Sequence, residues 1–295
     1  MQEEIQEGIL IKGYGGFYYV KIKEKIWECS LRGKFRKLGQ NILAGDRVLI
    51  HALDEKKGVI EKILPRVSEL NRPAVANVEQ VLVTFALKNP DPDFFLLDRM
   101  LLMARQKNLP AVILFNKVDL ANASEADAHE DVYKKAGYQV IKCCTKTGLG
   151  LDEVRGVLKD RISVFTGPSG AGKSSILNGV QQGLSLKTGE VSQKIGRGKH
   201  TTRHVELLEL DFGGLVADTP GFSVLEIPSV SREELDSFFP EIEEASLRCR
   251  FNSCLHDREP DCAVKEAVTK GIIDAGRHQR YLFFLQEVIE NERRY

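Results

Sequence analysis

The sequence lacks the features that place a chain in or across a membrane. No stretch approaches the ~18 uninterrupted apolar residues of a spanning helix. The start, Met1-Gln2-Glu3-Glu4-Ile5, has neither the basic cluster nor the apolar run of a secretory signal. Net charge is also missing: 42 Lys and Arg balance 42 Asp and Glu. Global attraction to a polyanion is therefore excluded, and such a partner would have to be met by local patches. No internal repeat and no low-complexity tract is present. A disulfide framework is not expected either, because six cysteines without a secretory signal read as reduced thiols or metal ligands. These absences predict a cytoplasmic protein with no membrane partner.

What is present is an ordinary globular composition, 42% hydrophobic and 28% charged over 295 residues, enough for two domains or three small ones. The chain reads as a multi-domain α/β protein in three parts. Residues 1–70 carry short apolar and aromatic runs at 8–14, 17–22, 26–31, 46–53 and 58–64, separated by turn signals such as Gly15-Gly16. Five short strands in so few residues predict a small closed barrel of the OB type. In residues 71–228, strands at 78–85, 111–115, 138–141 and 162–166 alternate with helical patterns at 94–106, 123–135 and 151–158. That rhythm predicts a parallel sheet covered on both faces. Residues 229–295 read as mainly helical and hold a cysteine cluster.

Gly167-Pro168-Ser169-Gly170-Ala171-Gly172-Lys173-Ser174 matches G-x-x-x-x-G-K-[ST] in full, after an apolar strand and before a helical stretch that starts at Ser175. Glycines let backbone N–H groups turn toward phosphate oxygens, and the helix start adds a favourable dipole. Lys173 would neutralise phosphate charge and the Ser174 hydroxyl would ligate Mg2+. The base is chosen elsewhere. Asn116-Lys117-Val118-Asp119 follows the strand at 111–115, where open α/β sheets bind ligands. The Asp119 carboxylate can accept from guanine N1–H and its exocyclic amine. Adenine offers neither donor, and a buried carboxylate left unpaired costs about 1–3 kcal/mol. Lys117 can lay its aliphatic stem along the base, and Asn116 can tie neighbouring loops together. A second base-side loop is expected at Cys143-Cys144-Thr145-Lys146-Thr147-Gly148, where Cys144 or Thr145 would offer a backbone N–H to guanine O6.

Asp218-Thr219-Pro220-Gly221 matches D-x-x-G. Asp218 would hold Mg2+ through water, and the Gly221 N–H would meet the γ-phosphate. In the basic loop Gly196–Arg203, Thr202 is favoured over Thr201 to complete the metal shell when GTP is bound. Phe222 stands where a water-orienting glutamine is common. A benzyl group cannot align water, so turnover by the isolated protein should be slow, with a partner or another residue as activator. The motif order is also distinctive. N-K-x-D precedes the phosphate loop, which precedes D-x-x-G, so the GTPase domain is circularly permuted. The second switch then leads directly into the C-terminal part, whose position should respond to the nucleotide.

Cys249, Cys254, His256 and Cys262 form C-x4-C-x-H-x5-C. Three thiolates and an imidazole complete a closed tetrahedral shell for one structural Zn2+. His278 is a less favoured ligand, and Cys29 reads as a strand residue. Residues 21–37 hold Lys21, Lys23, Lys25, Arg32, Lys34, Arg36 and Lys37 against only Glu24 and Glu28, with Phe17, Tyr18, Tyr19, Trp27 and Phe35 interleaved, a pattern that fits either an RNA surface or a solvated strand face. Lys194–Arg203 is also basic, and together the two stretches favour phosphate-backbone contact.

Together, N-K-V-D at 116–119, G-P-S-G-A-G-K-S at 167–174, D-T-P-G-F at 218–222 and the zinc spacing resemble the ribosome small-subunit-dependent GTPase A (RsgA/YjeQ) family over essentially the whole chain. The resemblance implies an OB-fold, a permuted GTPase domain and a zinc domain. It implies a factor acting late in small (30S) ribosomal subunit assembly, contacting its rRNA and hydrolysing GTP to GDP faster when bound there. It assigns nucleotide contacts to Asn116, Lys117, Asp119 and Gly167–Ser175. A monomer is expected. A metabolic P-loop kinase and a zinc-bearing RNA module with vestigial nucleotide binding are the competing readings; N-K-V-D speaks against the first.

Overall fold

In the computed structural model, residues 5–32, 41–181, 205–218 and 230–293 are described. By compactness they fall into two units. One comprises residues 1–81, 155–165 and 187–223, the other 82–154, 166–186 and 224–295, in so far as these are described.

The first unit opens with a closed five-stranded barrel of order β1-β2-β3-β5-β4. Its strands are β1 (Ile5–Tyr14), β2 (Phe17–Ile22), β3 (Lys25–Leu31), β4 (Arg47–Ala52) and β5 (Lys57–Ile63). β3 and β5 pair in parallel and the other pairs are antiparallel. Alternation along each strand sends Leu10, Val20, Trp27, Cys29, Val48, Ile50 and Ile60 inward. Register shifts at Leu10/Lys12 and Leu49/Ile50 bend the strands enough to close so small a barrel. Trp27 is therefore core, only 7% exposed, and belongs to no aromatic RNA face. The short hairpin β6 (Glu69–Asn71) and β7 (Ala74–Ala76) follows.

A six-stranded sheet has the order β10-β9-β8-β11-β13-β12. The strands are β8 (Gln80–Ala86), β9 (Ala111–Asn116), β10 (Gln139–Lys142), β11 (Ile162–Thr166), β12 (Glu206–Glu209) and β13 (Leu215–Asp218). Every residue of β8 and β11 is buried, as befits strands covered on both faces. β9 with β10, and β11 with β13, run parallel. The sheet is not wholly parallel, because the edge strand β12 runs antiparallel to β13. Glu206 and Glu209 bracket only two leucines, so β12 carries no strand signal of its own.

The helices are α1 (Phe94–Gln106), α2 (Ala123–Lys135), α3 (Leu151–Leu158), α4 (Lys173–Val180), α5 (Pro240–Ser246), α6 (Ala263–Thr269) and α7 (Ala275–Glu292). Asp93 caps α1 by accepting from the Leu96 N–H at 3.0 Å, and Asp274 caps α7 by accepting from the Arg277 N–H at 2.9 Å. Ile242, Val264, Ile273, Phe284, Leu285 and Val288 share a core with Leu102 of α1. The C-terminal helices thus pack directly on α1.

Candidate nucleotide and metal sites

The phosphate loop emerges from β11 and enters α4. Gly167, Gly170 and Gly172 have φ of +135°, +79° and +93°, values that residues with a Cβ adopt at a cost. At Gly172 space is also decisive, since a Cβ would sit 2.1 Å from Asn116 Nδ2. Asn116 ends β9, is 1% exposed, and donates from Nδ2 to the Ala171 carbonyl at 2.9 Å. This bond joins the two loops the sequence singles out, across more than fifty positions of chain. Lys173 Nζ donates to the carbonyls of Gly167 and Pro168 at 2.7 and 2.8 Å. Burial holds its pKa below the usual lysine value. Ser169 is exposed, whereas Ser174 and Ser175, in the first turn of α4, are half-buried.

The base-side loops lie in the same unit. Lys117 has φ of +58° and donates from Nζ to the Asn89 carbonyl, a left-handed conformation of the kind that clusters at binding sites. The Val118 N–H donates to the Cys143 carbonyl at 3.3 Å, which stitches this loop to the one following β10. There Cys144 Sγ donates to Asp119 Oδ1 at 3.2 Å, and Lys146 Nζ lies 3.3 Å from Oδ2. The Asp119 carboxyl is held below its usual range, first by the Cys144 hydrogen bond, against some desolvation, and then by Lys146. The Cys144 N–H is engaged by the Leu149 carbonyl at 3.0 Å. The Thr145 N–H makes no hydrogen bond among the described residues, so Thr145, not Cys144, has a main-chain donor to offer. Cys143 is a core residue whose thiol burial pushes up to about 12. Cys29 is likewise sealed in the barrel, with burial pushing its pKa to about 12.

β13 ends at Asp218. The side chain of Asp218, and Thr201, Thr202, Gly221 and Phe222, lie outside the described residues, as do Lys34, Phe35, Arg36 and Lys37. Among the described basic residues of the barrel, Lys21 pairs with Glu209 and Arg32 with Glu61. Of the seven cations counted in the sequence as an RNA patch, these two are thus paired within the unit.

The cysteine cluster converges. The ligand atoms of Cys249, Cys254, His256 and Cys262 all lie within 4.8 Å of one another. Zn–S bonds of about 2.3 Å in a tetrahedron space sulfur ligands about 3.8 Å apart. Cys249 and Cys262 Sγ are 3.8 Å apart, and His256 Nδ1 is 3.6 and 3.5 Å from them. The donor set and its spacing fit zinc. His256 takes a φ of +60° to turn its ring inward. Glu259 accepts from the Leu255 and Asp257 N–H groups at 2.9 and 3.0 Å, and His278 Nε2 lies 2.9 Å from the His256 carbonyl. His278 therefore supports the knuckle from behind. Sequence reasoning missed the Glu259 brace and the Cys144 thiol contact, because neither has a spacing signature.

The RsgA GTPase family profile matches residues 63–228 and the RsgA N-terminal domain profile matches residues 7–60. Over 287 residues, 97% of this chain and 99% of the relative, the chain is 51% identical to the small ribosomal subunit biogenesis GTPase RsgA of Moorella thermoacetica. It is 49% identical over 292 residues, 99% of this chain and 98% of the relative, to the protein of the same description from Caldanaerobacter subterraneus. The crystal structure of YjeQ from Thermotoga maritima superposes with a TM-score of 0.83 at 36% identity, covering 97% of this chain and 99% of that one. That of YloQ, a circularly permuted GTPase, superposes at 0.82 and 36% identity, covering 98% and 96%.

Proposed function

This chain belongs to the RsgA GTPase family, and from that premise we propose that it hydrolyses GTP to GDP and phosphate in the biogenesis of the small ribosomal subunit. The observation that carries the catalytic half of this reading is the Asn116–Ala171 hydrogen bond, which holds the base-reading loop against the phosphate-binding loop.

In the reading proposed, Asp119 accepts from the two guanine donors, the Thr145 N–H meets O6, and Lys117 lies along the base. Gly167–Ser175 cradle the phosphates through backbone N–H groups, and Lys173 neutralises their charge. Ser174, Asp218 and Thr202 would hold Mg2+, which supplies charge neutralisation at the β- and γ-phosphates. The Gly221 N–H would meet the γ-phosphate. Phe222 provides no group to orient water, so hydrolysis by the chain alone is slow and the small subunit accelerates it. The zinc knuckle is structural: its four ligands leave no open position. The finer assignments follow the same premise. They are an RNA-binding barrel over 1–70, a permuted GTPase domain over 71–228 and a zinc domain over 229–295, in a monomer that works in the cytoplasm on rRNA late in assembly. Among the described residues no helix is long and apolar enough to cross a membrane.

Steady-state GTP hydrolysis by the full chain, with and without purified small subunits, tests this. The rate should rise on the order of tenfold or more with subunits, and Lys173→Ala should abolish the stimulated rate. A rate indifferent to subunits would remove the ribosomal assignment; one indifferent to Lys173→Ala would remove the catalytic one.

A further inference from the structure

His256 has two ring nitrogens, and the cysteine cluster uses one. Nδ1 lies 3.6 and 3.5 Å from Cys249 and Cys262 Sγ. Nε2, on the other side of the ring, is sealed from water in a residue 1% exposed and has no hydrogen-bond partner within the usual limit among the described residues. A buried polar group left so carries its full desolvation cost. Asp236 comes nearest to relieving it. Its Oδ2 lies 3.6 Å from Nε2, too close for a water to stand between, because two successive hydrogen bonds of about 2.8 Å span about 4.5 Å. An approach closer by about half an ångström makes a direct N–H···O bond. The backbone that delivers this carboxylate is pinned. Asp236 sits in a short 3-10 turn, Leu235–Phe238, next to Leu235 and Phe239 of the C-terminal core. The Phe239 N–H donates to the Asp236 carbonyl at 2.9 Å, and Arg105 of α1 donates from Nε to the Ser237 carbonyl at 2.7 Å.

A zinc-ligating imidazole binds through one nitrogen and needs the other held. The proton on the second nitrogen decides which one is free for the metal, and its partner fixes how the ring is turned. A carboxylate in that place also makes the ligating nitrogen more basic. We propose that Asp236 is a positioning residue for the metal: its carboxylate accepts from His256 Nε2–H, leaves Nδ1 as the free donor, and holds the ring toward the three thiolates. This rests on the zinc reading above. It deepens that reading by adding a residue that the cysteine spacing does not announce and that binds no metal itself.

The test is the Zn2+ affinity of the full chain, read by competition with a chromophoric chelator, for wild type, Asp236→Ala, Asp236→Asn and Cys254→Ser, with melting temperatures recorded at saturating Zn2+. Asp236→Ala should bind Zn2+ about ten- to a hundredfold more weakly. Asp236→Asn fills the same space and keeps an accepting oxygen without the charge, so it should lose about three- to tenfold. A role in packing alone would spare the isosteric variant, which also decides the matter if Asp236→Ala does not fold. Nitrogen NMR of the zinc-loaded wild type should show His256 protonated on Nε2, with that proton exchanging faster in the Asp236 variants. An affinity within about twofold of wild type in either Asp236 variant, or a ring protonated on Nδ1, overturns the proposal. If Cys254→Ser loses Zn2+ while both Asp236 variants bind it as the wild type does, this inference alone fails. If Cys254→Ser also binds as the wild type does, the cluster is not the metal site, and the zinc reading fails with the proposal.

Discussion

Arg277 shows how a single residue can organise structure without leaving a trace in the sequence. It is 1% exposed. Nε donates to Glu241 Oε1 at 2.7 Å, and Nη1 lies 2.6 Å from Asp98 Oδ1 in an ion pair off the hydrogen-bonding direction. The guanidinium carbon stands 4.7, 5.3 and 5.9 Å from the rings of Phe239, Tyr133 and Tyr138. Asp98 also accepts from the Tyr133 hydroxyl at 2.8 Å and from Arg280. Buried charges persist when paired, and removing one partner strands the rest. Arg277→Met should therefore cost about 3–5 kcal/mol in urea unfolding; a loss below about 1 kcal/mol would contradict the pairing. Within Gly276-Arg277-His278 the arginine looks like any solvated helix residue. Its partners are distant in the chain, and only folding reveals that their charges share one enclosure. Asn116 was legible for the opposite reason. It stands in a recognisable four-residue motif, and the loop-tying role expected of it is met by its bond to the Ala171 carbonyl.

At the scale of elements, the sequence reading succeeded where patterns were long. α1, α2, α3 and β11 begin and end where the residue patterns put them. β6, β7 and β12 were missed. Each has three or four residues, too few to show alternation, and each owes its state to a neighbouring strand more than to its own composition. The cysteine–histidine cluster lies between these cases. The spacing announced that these four residues belong together, but the brace by Glu259 and the support from His278 belong to the fold. Because a closed metal site contributes folding energy outright, chelation should lower the melting temperature by about 10 °C or more. Metal analysis beforehand should find about one zinc per chain. A chelated, metal-free protein with an unchanged melting curve would contradict a structural metal.

At the scale of the molecule, the motif order says which loops must meet, and the fold says how. The N-K-x-D loop is encoded ahead of the G-x-x-x-x-G-K-S loop, yet β9 and β11 deliver both from the strand ends where such sheets bind ligands. Permutation leaves a site intact because it alters only which loops carry the chain ends. The sequence could not reveal that the C-terminal helices share a core with α1 through Leu102, since one leucine on a helix does not announce which partner covers it. The central claim, that Asp119 reads the base of the nucleotide whose phosphates lie on 167–174, is tested most directly by Asp119→Asn. Binding of GDP and xanthosine diphosphate should be measured on the wild type and the variant. The account predicts that the variant loses GDP affinity by on the order of tenfold to a hundredfold, gains xanthosine diphosphate, and so reverses its preference. An Asp119→Asn protein that still selects GDP as the wild type does would contradict it.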